Sequence, residues 1–256
     1  MKIEKPAFVC AVGDCHGALT AMYRIVEEIE KKAGREADLV VQTGDLGVWP
    51  DPSHLDRATA KHDQPGEFEQ WLREQRPVPR PTIFIAGNHE DFTFLGRLKT
   101  GTIVANLTFL AWGDTITVDV GGWGLRIAGV GGCYGPTDYH LRHVSGRQRR
   151  HYTEAELRRV ADEAKAGSRI DILLMHDAPA GRVINTGVNR DHRKQVTSRS
   201  AGLEELVKAV KPRLCLTGHL HMCSDRLVAG VRTVGLNMIP HPGSVLMLEF
   251  QPGTSE

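Results

Sequence analysis

Five short, mostly apolar runs in this chain each end directly in residues that can bind a metal ion. They occupy residues 7–12, 39–42, 81–86, 170–175 and 213–217. Apolar runs of this length are typical of strands that are buried on both faces of a sheet. The residues that follow them are, in chain order, Asp14 and His16, Asp45, Asn88 and His89, His176, and His219 and His221. Since ligands bind at the carboxyl ends of strands in open α/β sheets, we expect the five strand ends to converge on one sheet edge.

Each of these patterns is weak when it is taken alone. Asp14 and His16 could be a surface carboxylate and a solvated imidazole, and Asp45 could be an isolated turn residue. His176 could be a hydrogen-bonded core histidine, which is the commoner fate of one histidine behind a buried strand. His219 and His221 are a stronger pair, because alternate residues of an extended segment point the same way. The repetition of one rule, a strand and then a metal-binding residue type, favours a shared site.

Length and composition favour a soluble α/β protein. A chain of 256 residues is long enough for one large domain with a full core, and we expect a single domain over 1–256. Residues 49–80 are polar and rich in proline, so we interpret them as a possible insertion over the edge of the site. The apolar content of 41%, the charged content of 25% and the net charge of +1 are ordinary, and they give no global signature of a nucleic-acid or membrane binder.

Cysteine usage and hydropathy indicate a reducing compartment. The five cysteines are odd in number and have no CxxC spacing, which argues against a disulfide scaffold or a zinc ribbon. No stretch approaches the roughly 20 apolar residues of a membrane span, and the first apolar run is too short for a secretory signal. We therefore expect a cytoplasmic protein that has no membrane partner.

Periodicity gives the remaining elements. Residues 18–32 show helical spacing up to Gly34, so the chain opens with a βαβ unit. Thr153 is the expected N-cap of a helix over 153–166. We predict antiparallel strands at 103–104, 108–110, 115–120 and 125–130. Further helices are predicted at 66–75, 92–98 and 201–210, and further strands at 227–229, 231–236 and 245–250.

Five segments together resemble the motifs of the calcineurin-like metallophosphoesterase family. They are GDCHG at 13–17, GDLG at 44–47, GNHE at 87–90, MHD at 175–177 and GHLH at 218–221. The likeness extends from Asp14 to His221 and is specific in order, strand context and residue type. It implies an α/β fold in which two mixed β-sheets pack face to face between helices, a four-layer αββα sandwich with a dimetal site at the strand ends.

The resemblance also implies a role for each residue. Asp14, His16, Asp45 and His221 would hold one metal ion. Asp45 would bridge to a second ion that is held by Asn88, His176 and His219. A hydroxide between the ions would attack phosphorus in line, which makes Asp45 a catalytic residue. Asn88 and His89 would bind the substrate, and His89 would protonate the leaving oxygen. Carboxylate, imidazole and amide ligands suit Mn²⁺, Fe or Zn²⁺ better than Ca²⁺, and the sequence does not choose among the three.

Two comparisons within the family narrow this interpretation. Protein serine/threonine phosphatases carry a further acidic residue and an arginine in the second motif, whereas residues 44–49 read GDLGVW, which leaves His89 without an identified orienting partner. Segments 82–90, 125–139, 171–179 and 216–221 resemble the catalytic domain of RNA lariat debranching enzymes. Those enzymes commonly have cysteine at the position of Asp14, whereas here the cysteine is Cys15. Asp14 favours an ordinary two-metal site.

We therefore predict a metal-dependent phosphoesterase, and we favour a phosphodiesterase that acts on nucleotides or nucleic acid. Two basic loops, at 142–150 and 182–199, would flank the site and suit an extended anionic substrate, although arginine-rich loops are often only solvated. The alternatives are a phosphomonoesterase of broad specificity and a non-catalytic scaffold on the same fold. A scaffold would be marked by missing ligands, and here every ligand position is filled. The sequence does not indicate an oligomeric state.

Overall fold

The structure, a computed structural model, describes residues 5–57, 59–61, 67–167, 169–179 and 200–252. Its centre is a pair of six-stranded mixed sheets. The first sheet has the strand order β12-β1-β2-β3-β5-β4. Its strands are β1 (Ala7–Val12), β2 (Leu39–Gln42), β3 (Thr82–Phe84), β4 (Gly101–Val104), β5 (Leu107–Phe109) and β12 (Val245–Phe250).

The second sheet has the strand order β10-β11-β9-β8-β7-β6. Its strands are β6 (Thr115–Val120), β7 (Trp123–Val130), β8 (Ile172–Met175), β9 (Leu214–Thr217), β10 (Ser224–Val228) and β11 (Val231–Gly235). The α-helices are α1 (Leu19–Ala33), α2 (Glu67–Arg73), α3 (Phe92–Leu95), α4 (Glu154–Lys165) and α5 (Leu203–Val210). Short 3₁₀ helices occupy Pro52–His54, Thr59–Lys61 and Gly146–Arg150.

The inner strands of each sheet are parallel and the outer strands are antiparallel. In the first sheet β1, β2, β3 and β5 run parallel, and in the second β7, β8, β9 and β11 do so. The pairs at the edges, β1 with β12, β4 with β5, β6 with β7 and β10 with β11, are antiparallel. Parallel strands need cover on both faces, which explains why their sequences are continuously apolar.

The core is divided into three apolar clusters, which confirms the predicted four-layer αββα sandwich. The cluster between the sheets joins side chains of both, such as Val9 and Ile83 from the first and Ile172 and Leu216 from the second. A second cluster packs the outer face of the first sheet against α1 and α2. A third packs the outer face of the second sheet against α4 and α5. The strand ends are therefore held rigidly from both sides.

Local signals gave the end of α1 and the start of α4 correctly, whereas the helix predicted at 92–98 ends at Leu95. Helix α1 ends at Gly34, whose φ of 66° is the left-handed conformation that favours glycine at a C-cap. Helix α4 begins at Thr153, which forms a reciprocal capping box with Glu156.

Two predictions about strand arrangement were wrong in part. The strands within 101–130 are antiparallel only as two separate hairpins, β4–β5 and β6–β7, because these hairpins belong to different sheets. The five strands whose ends carry the polar motifs were expected to meet at one sheet edge, but they belong to two sheets. Strands β1, β2 and β3 are in the first sheet, and β8 and β9 are in the second. Their convergence thus depends on the packing of two sheets, and a one-dimensional pattern of short strands does not encode which sheet a strand joins.

Among the described residues, no helix combines the length and the apolar character needed to cross a bilayer.

Candidate metal centre

The structure brings the side chains from the five strand ends together where the two sheets meet. Donor atoms of Asp14, His16 and His221 lie within 4.8 Å of one another, and so do those of Asp14, Asp45 and His176. Asp14 belongs to both groups, and its carboxylate is fully buried. Five of the seven predicted metal ligands therefore form one continuous cluster.

The first group is centred on Asp14. Its Oδ2 lies 2.8 Å from Nε2 of His221, and that nitrogen lies 3.2 Å from Nε2 of His16. The carboxylate is held from the other side by the backbone N–H of His219, which donates to Oδ1 at 3.0 Å. Two imidazole nitrogens and a carboxylate oxygen thus point at a common position, which is the arrangement expected of metal ligands.

The second group contains Asp45, which also lies near His16 of the first group. Its Oδ2 is 3.4 Å from Nε2 of His176 and 3.8 Å from Nε2 of His16. Its Oδ1 accepts the backbone N–H of His89 at 2.7 Å, so the carboxylate is fixed in place. Asn88 joins this group through Oδ1, which lies 2.9 Å from Nε2 of His176.

His219 lies next to these groups without belonging to either set of converging atoms. The centres of its ring and the His176 ring are 5.0 Å apart. Burial, and then the charge of His176, lower the pKa of His219. The neutral imidazole is the form that binds metal ions, so His219 is in a suitable state although the structure does not place it as close as the others.

The surroundings of His176 show that the cluster fits a cation. Its Nδ1–H donates to the carbonyl of Thr43 at 2.9 Å, so Nε2 is the nitrogen that faces the oxygens of Asn88 and Asp45. A neutral imidazole would present a lone pair to two acceptors there, which is unfavourable unless a proton or a metal ion lies between them. Burial lowers the pKa of His176, but the charge of Asp45 and a hydrogen bond to it outweigh burial and raise this pKa to about 10.

Backbone conformation also marks the cluster. Positive φ angles are uncommon outside glycine and concentrate at functional sites. Eight described residues other than glycine have one. Half of them are predicted ligands, namely His16, Asp45, His219 and His221, with φ between 47° and 63°. The tight packing of the loops therefore holds four ligands in a conformation that an isolated chain would avoid.

The glycines of the motifs make room for ligands of neighbouring motifs. A Cβ atom on Gly87 would lie 2.0 Å from Oδ1 of Asp45, and one on Gly218 would lie 2.3 Å from Oδ1 of Asp14. Neither contact could be relieved without moving a carboxylate of the cluster. A methyl group at either position would therefore disturb a predicted metal ligand directly.

Glu90 joins two of the motifs and was not assigned a role from the sequence. Its buried carboxylate accepts the backbone N–H groups of Leu46 at 2.9 Å and Val48 at 2.5 Å. It thereby fixes the loop that carries Asp45 to the loop that carries His89. Burial and the neighbouring Asp45 raise the pKa of Glu90 to about 8, although the hydrogen bonds from the backbone act in the opposite direction.

Asp56 is the orienting partner of His89 that the sequence left unidentified. Its Oδ2 lies 2.6 Å from Nδ1 of His89, and the two side chains are 35% and 28% exposed. Burial lowers the pKa of His89, but the hydrogen bond to Asp56 and the charge of Asp45 outweigh it, so this pKa is raised. Burial raises the pKa of Asp56, whereas His89 and the N–H of Thr59 lower it more, to about 2. The pair therefore favours a charged imidazolium beside a carboxylate.

A cleft opens beside Asn88 and His89, between the segment after β2 and the first basic loop. Its larger part has a volume of about 690 Å³, and its smaller part, of about 310 Å³, includes His89, Cys133 and His151. Arg57 and Arg150 line both parts.

The structure describes the first of the two predicted basic loops, and two of its arginines line the cleft. Within 142–150, Arg149 is a packing residue, because its Nη1 lies 2.5 Å from Oε1 of Glu156 and its guanidinium covers the ring of Trp112 at 4.9 Å. Arg147 and Arg150 line the cleft. The loop predicted at 182–199 lies outside the described residues.

The comparisons with known proteins agree with this architecture. The model of the calcineurin-like phosphoesterase family matches residues 9–223, so the chain belongs to that family. Its members bind divalent metal ions, and the cluster above offers the ligands for them.

Relatives and solved structures extend this result. The chain is 29% identical to the lariat debranching enzyme of Entamoeba histolytica, over 86% of this chain and 66% of that protein. It is 31% identical to the lariat debranching enzyme of Schizosaccharomyces pombe, over 82% and 47%. The chain thus spans about half to two thirds of the length of these relatives. The phosphopantetheinyl hydrolase of Mycobacterium tuberculosis has the same fold, with a TM-score of 0.52 at 11% identity over 96% and 97% of the two chains.

Proposed function

We propose that this protein is a phosphodiesterase that hydrolyses nucleotide or nucleic-acid diesters with two divalent ions, Mn²⁺, Fe or Zn²⁺. The observation that carries the proposal is the arrangement of His89. It lies beside the cluster of carboxylates and imidazoles, outside the groups of converging donor atoms, and it is paired with its own carboxylate, Asp56. Metal ions that activate water and an adjacent group that protonates the leaving oxygen together provide a catalytic route to phosphoester hydrolysis.

The ligands divide between two ions, as the family resemblance implies. We assign Asp14, His16, Asp45 and His221 to one ion, with Asn88, His176 and His219 on the other. Asp45 would bridge the two, which agrees with the position of its Oδ2 between His16 and His176. When bound, such a pair of ions activates the attacking water and neutralises charge on the phosphate.

His89 would supply the proton for the leaving oxygen. Because its Nδ1–H donates to Asp56, Nε2 is the nitrogen that can hold a proton for the substrate. The pKa of His89 is raised, which favours the form that carries this proton. Asn88, which directly precedes His89 in the chain and lies against His176, would also contact the phosphate.

The cleft favours a diester over a monoester. A monoester needs no space for a second esterified group beyond its leaving alcohol, whereas the cleft beside Asn88 has a volume of about 690 Å³ and an arginine-lined wall. The relatives named lariat debranching enzyme point to nucleic acid as the substrate class, and branched RNA belongs among the compounds to be tested.

The test is metal analysis of the purified protein, followed by a panel of esters with each metal restored. Bis-p-nitrophenyl phosphate, a dinucleotide and a 2′–5′ branched oligonucleotide represent diesters, and p-nitrophenyl phosphate represents monoesters. We expect metal-dependent turnover of diesters at rates well above that of the monoester. A preference for the monoester would favour the phosphomonoesterase, and bound metal without any turnover would favour the scaffold.

A further inference from the structure

Three arginines in the cleft have no carboxylate partner among the described residues. Arg57, Arg147 and Arg150 line the cleft, and all three residues are exposed to solvent. The described ion pairs include none of them, in contrast to Arg149 in the same loop. Their positive charge is therefore available to a ligand.

The carboxylates that line the cleft are engaged elsewhere. Asp56 is paired with His89, and Asp91 accepts from His54 at 3.0 Å and caps helix α3. Glu90 is buried among backbone donors. No acidic side chain among the described lining residues thus forms an ion pair with these arginines.

The arginines lie on the side of the metal cluster where His89 is found. The smaller part of the cleft is lined by His89 together with Arg57 and Arg150, and these two arginines continue into the larger part. If His89 protonates the leaving oxygen, the leaving portion of the substrate must occupy this side. An anionic group on that portion would then meet the two guanidinium groups.

We infer that Arg57 and Arg150, with Arg147 further along the cleft, form a subsite for a second phosphate, one nucleotide away from the phosphate that is cleaved. The inference rests on the proposed function for the direction of the substrate. Guanidinium groups bind phosphate through paired, charge-assisted N–H donors, which explains why arginine suits such a site. The volume of about 690 Å³ lies within the range of sites for nucleotide-sized ligands. The substrate class is therefore an oligonucleotide that has a phosphate on its leaving side.

The first arm of the test measures binding without turnover. The anisotropy of a fluorescein-labelled thymidine trinucleotide is followed in EDTA for the wild type, for Arg57→Ala/Arg150→Ala and for Arg142→Ala. Arg142 is a matched control, because it is an exposed arginine of the same loop that does not line the cleft. We expect the double variant to bind about tenfold more weakly, with a salt dependence shallower by about 0.7 for each phosphate that the arginines no longer neutralise. Arg142→Ala should bind as the wild type does.

The second arm measures turnover of thymidine dinucleotides with and without a terminal phosphate at either end, after metal is restored. We expect a phosphate at one end to lower KM by about tenfold, with little change in kcat. The double variant should lose this preference for the dinucleotide that carries a terminal phosphate.

The two arms separate failure of the subsite from failure of the proposed function. Binding and dinucleotide preference that are unchanged in the double variant would overturn the subsite, whatever the enzyme hydrolyses. Absence of diester turnover in the metal-loaded wild type would overturn the proposed function, and the binding arm would still decide the subsite. Equal weakening of binding in Arg142→Ala would also overturn it, since the attraction would then be a general effect of charge.

Discussion

Asp56→Asn is the substitution that examines the proton donor most selectively. Asparagine has almost the same shape, and its Oδ1 can still accept from Nδ1 of His89, which lies 2.6 Å from the aspartate oxygen. The substitution therefore removes the charge while it keeps the geometry. Because Asp56 contributes to the raised pKa of His89, the pKa of His89 should fall in the variant.

The expected reduction in rate follows from the exposure and strength of this pair. A hydrogen bond to a charged group is worth roughly 1.5–3 kcal/mol, and both partners here are about one third exposed, so we take the lower part of that range. A loss of about 1.5 kcal/mol, at the lower end of that range, corresponds to roughly tenfold in rate. We expect about a tenfold reduction of kcat for Asp56→Asn on a dinucleotide and roughly 10²–10⁴-fold for His89→Ala, the range of general acid catalysis.

The assay compares the turnover of substrates with different leaving groups and measures kcat as a function of pH. A nitrophenolate leaves without protonation, so turnover of bis-p-nitrophenyl phosphate should change much less than turnover of a dinucleotide in both variants. A raised pKa keeps His89 protonated up to a higher pH, so the alkaline limb of the kcat profile should move to lower pH in Asp56→Asn. Asp51→Asn is the control, since Asp51 is exposed in the same segment and contacts His54 instead.

Three outcomes would refute this reasoning. Equal reductions on the two substrates would make His89 a group that binds the phosphate oxygens. Loss of metal from His89→Ala would make it a ligand. An unchanged alkaline limb in Asp56→Asn would mean that this carboxylate does not control the proton.

Three further predictions concern the metal cluster. Gly87→Ala should lower the metal content measured by elemental analysis, because its Cβ would lie 2.0 Å from Asp45. Gly101→Ala is the control, since its Cβ would make no close contact and the variant should retain metal. Equal metal content in the two variants would contradict the steric account. Asp45→Asn should weaken both ions while His16→Ala empties mainly one, and normal occupancy in Asp45→Asn would exclude the bridge. Metal binding at pH 7.5 should release about one proton from His176, because its pKa of about 10 leaves it protonated before metal binds. Calorimetry in two buffers with different ionisation enthalpies measures the number of protons released. The absence of proton release would contradict this prediction.

The same histidine gives the metal-free protein a stability that depends on pH. The pKa of His176 is about 10 in the folded protein and 6.5 for an unperturbed side chain. Its contribution to the free energy of unfolding is therefore complete below pH 6.5 and is lost as the pH rises through about 10. Thermal unfolding of the protein in EDTA should show this decline, and His176→Ala should reduce it. A decline of equal size in that variant would assign the effect to other groups.

The sequence was informative wherever structure is encoded locally. Buried parallel strands produce continuous apolar runs, and helix ends produce caps, so β1, α1 and the N-cap at Thr153 could be predicted. The polar residues after the strands could be assembled into one site because strand ends have a fixed relation to sheet edges. The distribution of these strands over two sheets depends on contacts between distant segments, and it was therefore missed.

Asp56 and Glu90 show the limits of the same approach. Asp56 lies in a segment that has no apolar periodicity, and its partner is 33 residues away in the chain. The only hint in the sequence was negative, since the second motif has no acidic partner for His89. Glu90 stands inside a quoted motif, but its function is to accept backbone N–H groups of another loop, which only the folded structure shows.

The central claim is that two bound metal ions make this cluster a phosphodiesterase. The most direct measurement strips the protein with EDTA and then titrates Mn²⁺ while the hydrolysis of bis-p-nitrophenyl phosphate is followed. We predict no turnover in the stripped protein and a rate that saturates at about two ions per chain, the stoichiometry of a two-metal site. Turnover that does not depend on metal, or two bound ions without turnover of any diester, would contradict the proposal.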